Sequence, residues 1–167
     1  MLDRIPRVFA LAAMAVAFWA SAAAADDDVP DRAWNQAEAT AVAKRLADKA
    51  DAFNEAIGKL PPDGSLTPLT KDEMDLVLLR ARHLDERTRA LAASLAEGQD
   101  RAETKTSYEN VETTLRDVAE HTRSEWIPNS AYQTWAELRN VHLELAEYYG
   151  DHDVDPRLED IRVEPRR

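Results

Sequence analysis

The chain has 167 residues, 32 of them acidic and 21 basic, a formal net charge of −11 and no cysteine. Such a charge repels nucleic acid and anionic lipid, so neither is expected as a partner. Without cysteine there is no disulfide, no thiolate nucleophile, no Cys-ligated metal cluster and no covalently attached c-type haem, and packing must hold the fold together.

The first 25 residues read as a secretory signal peptide. Arg4 and Arg7 give a basic start, Val8–Ala20 is almost unbroken apolar sequence, and Ala23-Ala24-Ala25 precedes Asp26-Asp27-Asp28. That is the three-part pattern of a cleaved export signal. The run from Val8 to Ala25 spans 18 residues, the lower limit for a membrane span. It closes on weakly hydrophobic alanines and a cleavage motif, so cleavage after Ala25 and a periplasmic location off the membrane are expected. Loss of these residues removes Asp3, Arg4 and Arg7 and leaves 142 residues with a formal charge of −12.

Four helical segments follow, and alternating strand-like patterns are absent. The first is predicted from about Pro30 to Ile57, with Asp26, Asp27, Asp28 and Asp31 at its positive end. Its buried side is Trp34, Ala39, Val42, Leu46, Phe53 and Ile57, continuing to Leu60. The stretch LPPDGSLTPLT, Leu60–Thr70, breaks it with three prolines and a glycine.

The second segment opens with a capping box of Thr70 and Glu73, with Leu69 and Met74 as a hydrophobic staple. Met74, Val77, Ala81, Leu84, Thr88, Leu91 and Leu95 form a heptad seam, and Gly98 ends it. The third segment opens on Asp100 and Glu103. Its stripe is Thr104, Tyr108, Val111, Leu115, Val118 and Thr122, with Trp126 beyond, and Pro128 stops it. The fourth opens on Ser130 and Gln133, carries Ala131, Trp135, Leu138, His142, Leu145 and Tyr149, and ends at Gly150.

Together these predict an all-α, up-down-up-down four-helix bundle over residues 26–150, followed by a loosely docked or mobile tail of mixed charge over 151–167. No unit recurs at a fixed period, which argues against a solenoid.

One residue interrupts the apolar seams with chemistry. His142 stands where leucine would pack without polar cost. A bundle core is a place where haem and metal sites are built, so His142 is a candidate cofactor ligand. Met74 does not complete a bis-ligated haem with it. In this topology the two lie roughly 14 Å apart along the axis at helical rise. The competing expectation is a core histidine hydrogen-bonded to Tyr108, Thr88 or Glu38.

The residues three before His83, His121, His142 and His152 are Arg80, Val118, Arg139 and Tyr149. The Glu-x-x-His pairs of di-iron bundles are therefore missing. Asp117, His121 and Glu125 repeat at four-residue spacing along one helix face and are a candidate divalent-metal ladder, against an ordinary solvated face. Asp151, Asp153, Asp155 and Glu159 mimic the opening of a calcium loop. Pro156 stands at the glycine position and Arg162 at the closing glutamate, so calcium is not expected.

Arg80, His83 and Arg87 form a basic strip expected to pair with acidic residues of a neighbouring helix. Trp126, Tyr132 and Trp135 are expected to cap a core end with Phe53 and Ile57. Tyr148 and Tyr149 are candidates for surface contact. No nucleophile elbow, zinc-protease motif or phosphate loop is present.

The reading is a small exported helical binding or protein-interaction module without catalytic activity, meeting a protein partner or a second copy through a helix face. Its alternatives are a periplasmic carrier of a divalent metal or haem, and a periplasmic chaperone or stress-sensor subunit.

Overall fold

The computed structural model describes residues 32–60, 70–122 and 129–151. They form four α-helices and, among the described residues, no strand: α1 Gln36–Gly58, α2 Lys71–Ala96, α3 Arg101–Thr122 and α4 Asn129–Tyr149. Residues 1–31, which include the expected signal peptide, the 61–69 connection, Trp126 and all of the tail after Asp151 lie outside the described residues.

The helix boundaries follow their local chemistry. Thr70 and Glu73 make the full reciprocal capping box at the start of α2. Asp100 and Glu103 make the same exchange at α3, at 3.0 and 2.8 Å. Gly98 and Gly150 take φ of +92° and +72° after α2 and α4, a conformation that costs other L-residues about 1 kcal/mol or more.

The start of α1 is a correction. The helix begins at Gln36, and Asn35 is its cap, extended at φ −130° and accepting from the amides of Ala37 and Glu38. An asparagine that satisfies two orphan amides outweighs the helix-starting preference of a proline five residues earlier. Trp34 therefore precedes the helix. It is half-buried and meets Tyr148 and Tyr149 edge-on.

The heptad seam of α2 is buried at every position from Met74 to Leu95. Ala39, Val42, Leu46, Phe53 and Ile57 bury from α1, and Tyr108, Val111, Leu115 and Val118 from α3. Trp135, Leu138, His142, Leu145 and Tyr149 bury from α4. Each fully buried aliphatic side chain contributes about 1.5–3 kcal/mol, so this seam carries most of the driving force.

Hydrogen bonds place the helix ends. Gln36 Nε2 donates to the carbonyls of Leu95 and Gln99, at 2.7 and 2.9 Å, so the start of α1 closes the end of α2. The Arg32 amide reaches the Glu147 carbonyl. The Arg101 guanidinium donates to the Tyr149 carbonyl, setting a cation at the negative end of α4. α1 packs on α2 and α4, and α2 on α3, whereas α3 and α4 approach closely along little of their length. No helix among the described residues is long and apolar enough to cross a membrane.

Candidate functional site

Helix periodicity gives α4 two distinct flanks. Glu137, Glu144 and Tyr148 share one and face α1: Lys49 pairs with Glu137 at 2.6 Å, Arg45 pairs with Glu144, and the Tyr148 hydroxyl donates to Glu38. At 3.6 residues per turn, Trp135, Arg139, His142 and Tyr149 fall about half a turn away, on the side of α3.

The rings meet on that side. Tyr108 of α3 lies parallel to His142, 7° between planes and 5.7 Å between centroids. It also lies parallel to Tyr149, at 6° and 4.1 Å. His142 and Tyr149 are seven residues apart, a rise of about 10.5 Å, which nearly equals the two separations taken together. Tyr108 therefore sits as a rung between them. Its hydroxyl donates to Asp151 Oδ2 at 2.9 Å, and Tyr149 shares a hydrogen bond of 2.7 Å with Thr104.

His142 is fully buried, yet neither ring nitrogen has a hydrogen-bond partner. This overturns the expected hydrogen bond. Thr88 gives its hydroxyl to the carbonyls of Leu84 and Asp85 in its own helix. Glu38 takes Tyr148 and Arg32. Tyr108 offers His142 its ring face and sends its hydroxyl to Asp151. Desolvation pushes the imidazole down to about 4, with the Asp151 charge opposing. The ring is neutral at ordinary pH, with one donor and one acceptor, and leaving either unmet costs about 1–3 kcal/mol.

Two other nitrogens on this flank share the condition. Trp135 Nε1 and Arg139 Nε are buried without a partner. Sequence reading missed Arg139. Its signal was available: a guanidinium four residues after Trp135 and three before His142, one position off the apolar stripe.

Asp117 is exposed on α3; of His121 only the helical backbone is described, and Glu125 lies outside the described residues, so the ladder stays an expectation. Among the described residues, no group of three His, Asp or Glu side chains is arranged to hold a metal ion. Among the described residues Arg80 and Arg87 do not pair with acids: they donate to the α3 carbonyls of Asp117 and Asn110, and Arg87 also to the Thr114 hydroxyl. Their long side chains reach across the α2–α3 contact, where backbone oxygens are nearer than carboxylates.

Phe53 and Trp135 pack at 5.2 Å as core, with Ile57 fully buried. Tyr148 and Tyr149 are corrected from surface to interior. Both are buried, because the half-buried Trp34 and the Arg32 guanidinium cover them. Of the large apolar side chains, Leu76 and Leu79 of α2 are the exposed ones among the described residues.

Compared with protein-family models, with curated proteins and with solved structures, the chain matches none.

Proposed function

We propose that this chain is a small exported, periplasmic binding module, an up-down-up-down four-helix bundle that holds a ligand along the α3–α4 seam and carries out no chemistry of its own. One observation carries this reading: His142 is fully buried with both ring nitrogens unpartnered. Buried polar groups are ordinarily satisfied, and an exception calls for a missing partner. A neutral imidazole with no hydrogen bond to the protein is able to meet one. The seam between α3 and α4 is also where the helices are least tightly joined. Export is supported by the three-part pattern of residues 1–25.

The test is protein purified from the periplasm without chelator and compared by native and denaturing mass spectrometry, metal content and visible absorption. A stoichiometric bound species that disappears in His142→Ala is expected. A haem band or a metal lost with His142 would make the molecule the carrier of that group. Protein that is free of any bound species would sink the reading.

A second reading rests on Leu76 and Leu79, which stand one turn apart on the outer face of α2, 38% and 47% exposed. An exposed apolar pair at helical spacing suits a protein partner or a second copy, as a chaperone or stress-sensor subunit would need. Sedimentation across a concentration series checks it, with Leu79→Glu as the variant that should abolish any association.

A further inference from the structure

We propose that the outer face of α2 pairs antiparallel with the same face of a second copy of this chain, Leu76 and Leu79 of each copy seating on Ala93 and Ala90 of the other. This deepens the second reading above, the exposed leucine pair of α2, and rests on it.

The leucine pair begins a longer pattern. Leu76, Leu79, His83, Glu86, Ala90 and Ala93 follow one another at alternating spacings of three and four, and all six are exposed. Each stands two residues after a member of the buried seam Met74, Val77, Ala81, Leu84, Thr88 and Leu91. Two residues turn the helix by about 200°, so the second stripe lies opposite the first. A helix packed on one side needs one such seam, and α2 carries the spacing of two.

The fold clears the edges of this stripe. α2 packs on α1 and on α3. On the α3 edge Arg80 and Arg87 turn away to the carbonyls of Asp117 and Asn110. On the α1 edge Arg89 is held by Asp51 and Asp85, at 2.7 and 2.9 Å. The long side chains best placed to cover the stripe are drawn aside, and Leu76 and Leu79 stay open to water.

The order of the residues selects the occupant. Turned about a two-fold axis between Leu84 and Asp85, the stripe is its own complement, as an isologous contact requires. Leu76 meets the partner's Ala93, Leu79 meets the partner's Ala90, and His83 meets the partner's Glu86. Large side chains fall on small ones at both ends. At the centre an imidazole N–H falls on a carboxylate twice, with Arg82 at the same level. Among the described residues the side chains of Arg82, His83 and Glu86 have no hydrogen bond or ion pair of their own. A parallel pair would instead set Glu86 on Glu86 and His83 on His83, which like charge disfavours. The edge arginines do approach one another across the antiparallel pair. Arg82 nears the partner's Arg89, whose charge Asp51 and Asp85 already offset, and Arg80 nears the partner's Arg87, both drawn toward α3. The contact is one helix wide and about 25 Å long, at the small end of specific interfaces, so the pair forms reversibly.

The chain has no cysteine, so introduced ones report the register directly. The double variant Leu79→Cys with Ala90→Cys is expected to form a disulfide-linked dimer under mild oxidation, because the two positions face each other across the axis. Within one helix they stand about 16 Å apart and cannot bond to each other. Leu79→Cys alone should cross-link no faster than Lys44→Cys on the exposed side of α1. Sedimentation of the wild type should show a monomer–dimer equilibrium. Leu79→Glu should weaken it roughly a hundredfold or more, since two buried leucines are lost per dimer, with helicity unchanged by circular dichroism. Glu86→Arg, which sets cations against Arg82 and His83 of the other copy, should weaken it as well.

Cross-linking of Leu79→Cys alone as fast as the double variant overturns the antiparallel register. Association that Leu79→Glu abolishes but the double variant does not trap overturns the assigned pairing and leaves the leucine face as an interaction surface. A wild type that stays monomeric at every concentration overturns the pairing and leaves that face only to a different protein. Association unmoved by Leu79→Glu overturns both the pairing and the reading it rests on.

Discussion

Tyr108 of α3 and His142 of α4 stack with their planes 7° apart and their centroids separated by 5.7 Å, and this contact does not satisfy either nitrogen of the imidazole. The histidine is thus packed without a hydrogen bond. Its energetic role is that of a flat apolar group carrying two unmet polar atoms.

Replacing those atoms should stabilise the ligand-free protein. His142→Leu is expected to raise the free energy of unfolding by about 1–3 kcal/mol, the penalty of an unmet buried polar group. His142→Ala should instead destabilise, because the cavity and the loss of stacking outweigh the polar relief. Urea unfolding of both variants, compared by midpoint at constant slope, distinguishes these directions.

Acid should act through the same ring. Its value in the unfolded chain is near the ordinary 6.5, and burial lowers it to about 4 in the fold. Above 6.5 neither state is protonated, and His142 adds no pH dependence. Between 6.5 and 4 the unfolded chain takes up a proton that the fold refuses, so stability falls as pH falls. Below 4 both are protonated and the loss levels off at about 3 kcal/mol. Burial raises Asp85 and Glu112, and these act in the opposite sense as they protonate in the fold. Unfolding free energies from pH 7.5 to 4 should therefore show a slope in the wild type that His142→Leu flattens. Equal slopes in the two proteins would show that His142 is not the titrating group.

The rung itself can be tested in two steps. Tyr108→Phe keeps the stack and removes the hydrogen bond to Asp151. It is expected to cost about 1 kcal/mol. Tyr108→Ala removes the ring between His142 and Tyr149 and should cost about 3–5 kcal/mol. Amide exchange in the last turn of α4 should rise modestly in the first variant and strongly in the second.

The helix ends give a prediction independent of the seam. Asn35→Ala should cost about 1 kcal/mol, because two amides of α1 lose their acceptor, whereas Asn35→Asp should be tolerated. Gly98→Ala meets no atom within 4 Å but would be held at φ +92°, so its cost is backbone strain alone, also about 1 kcal/mol. Thermal unfolding of the three variants checks both values.

Much of the fold was legible in the residues themselves. Helix class, the end of α1, the two capping boxes at Thr70 and Asp100, the glycine stops at 98 and 150 and the buried stripes of α2, of α4 and of α3 from Thr104 to Val118 are set by interactions within a few residues. Such short-range rules act before any tertiary contact forms. Even there the strongest local acceptor decides, which is why Asn35 and not the proline upstream fixes the start of α1.

What required the third dimension was who meets whom. Periodicity put His142 in the core but could not say that Tyr108 would turn its ring face toward it while sending its hydroxyl to Asp151. It could not say that Glu38 would be taken by Tyr148, or that Thr88 would close on its own helix. Tyr148 and Tyr149 read as surface residues until Trp34, outside α1, folded over them. Arg139 lay one position off the stripe and carried no reading of its own, yet its Nε is buried. Hydrogen-bond satisfaction and burial depend on distances between helices, and the sequence by itself determines only positions along them.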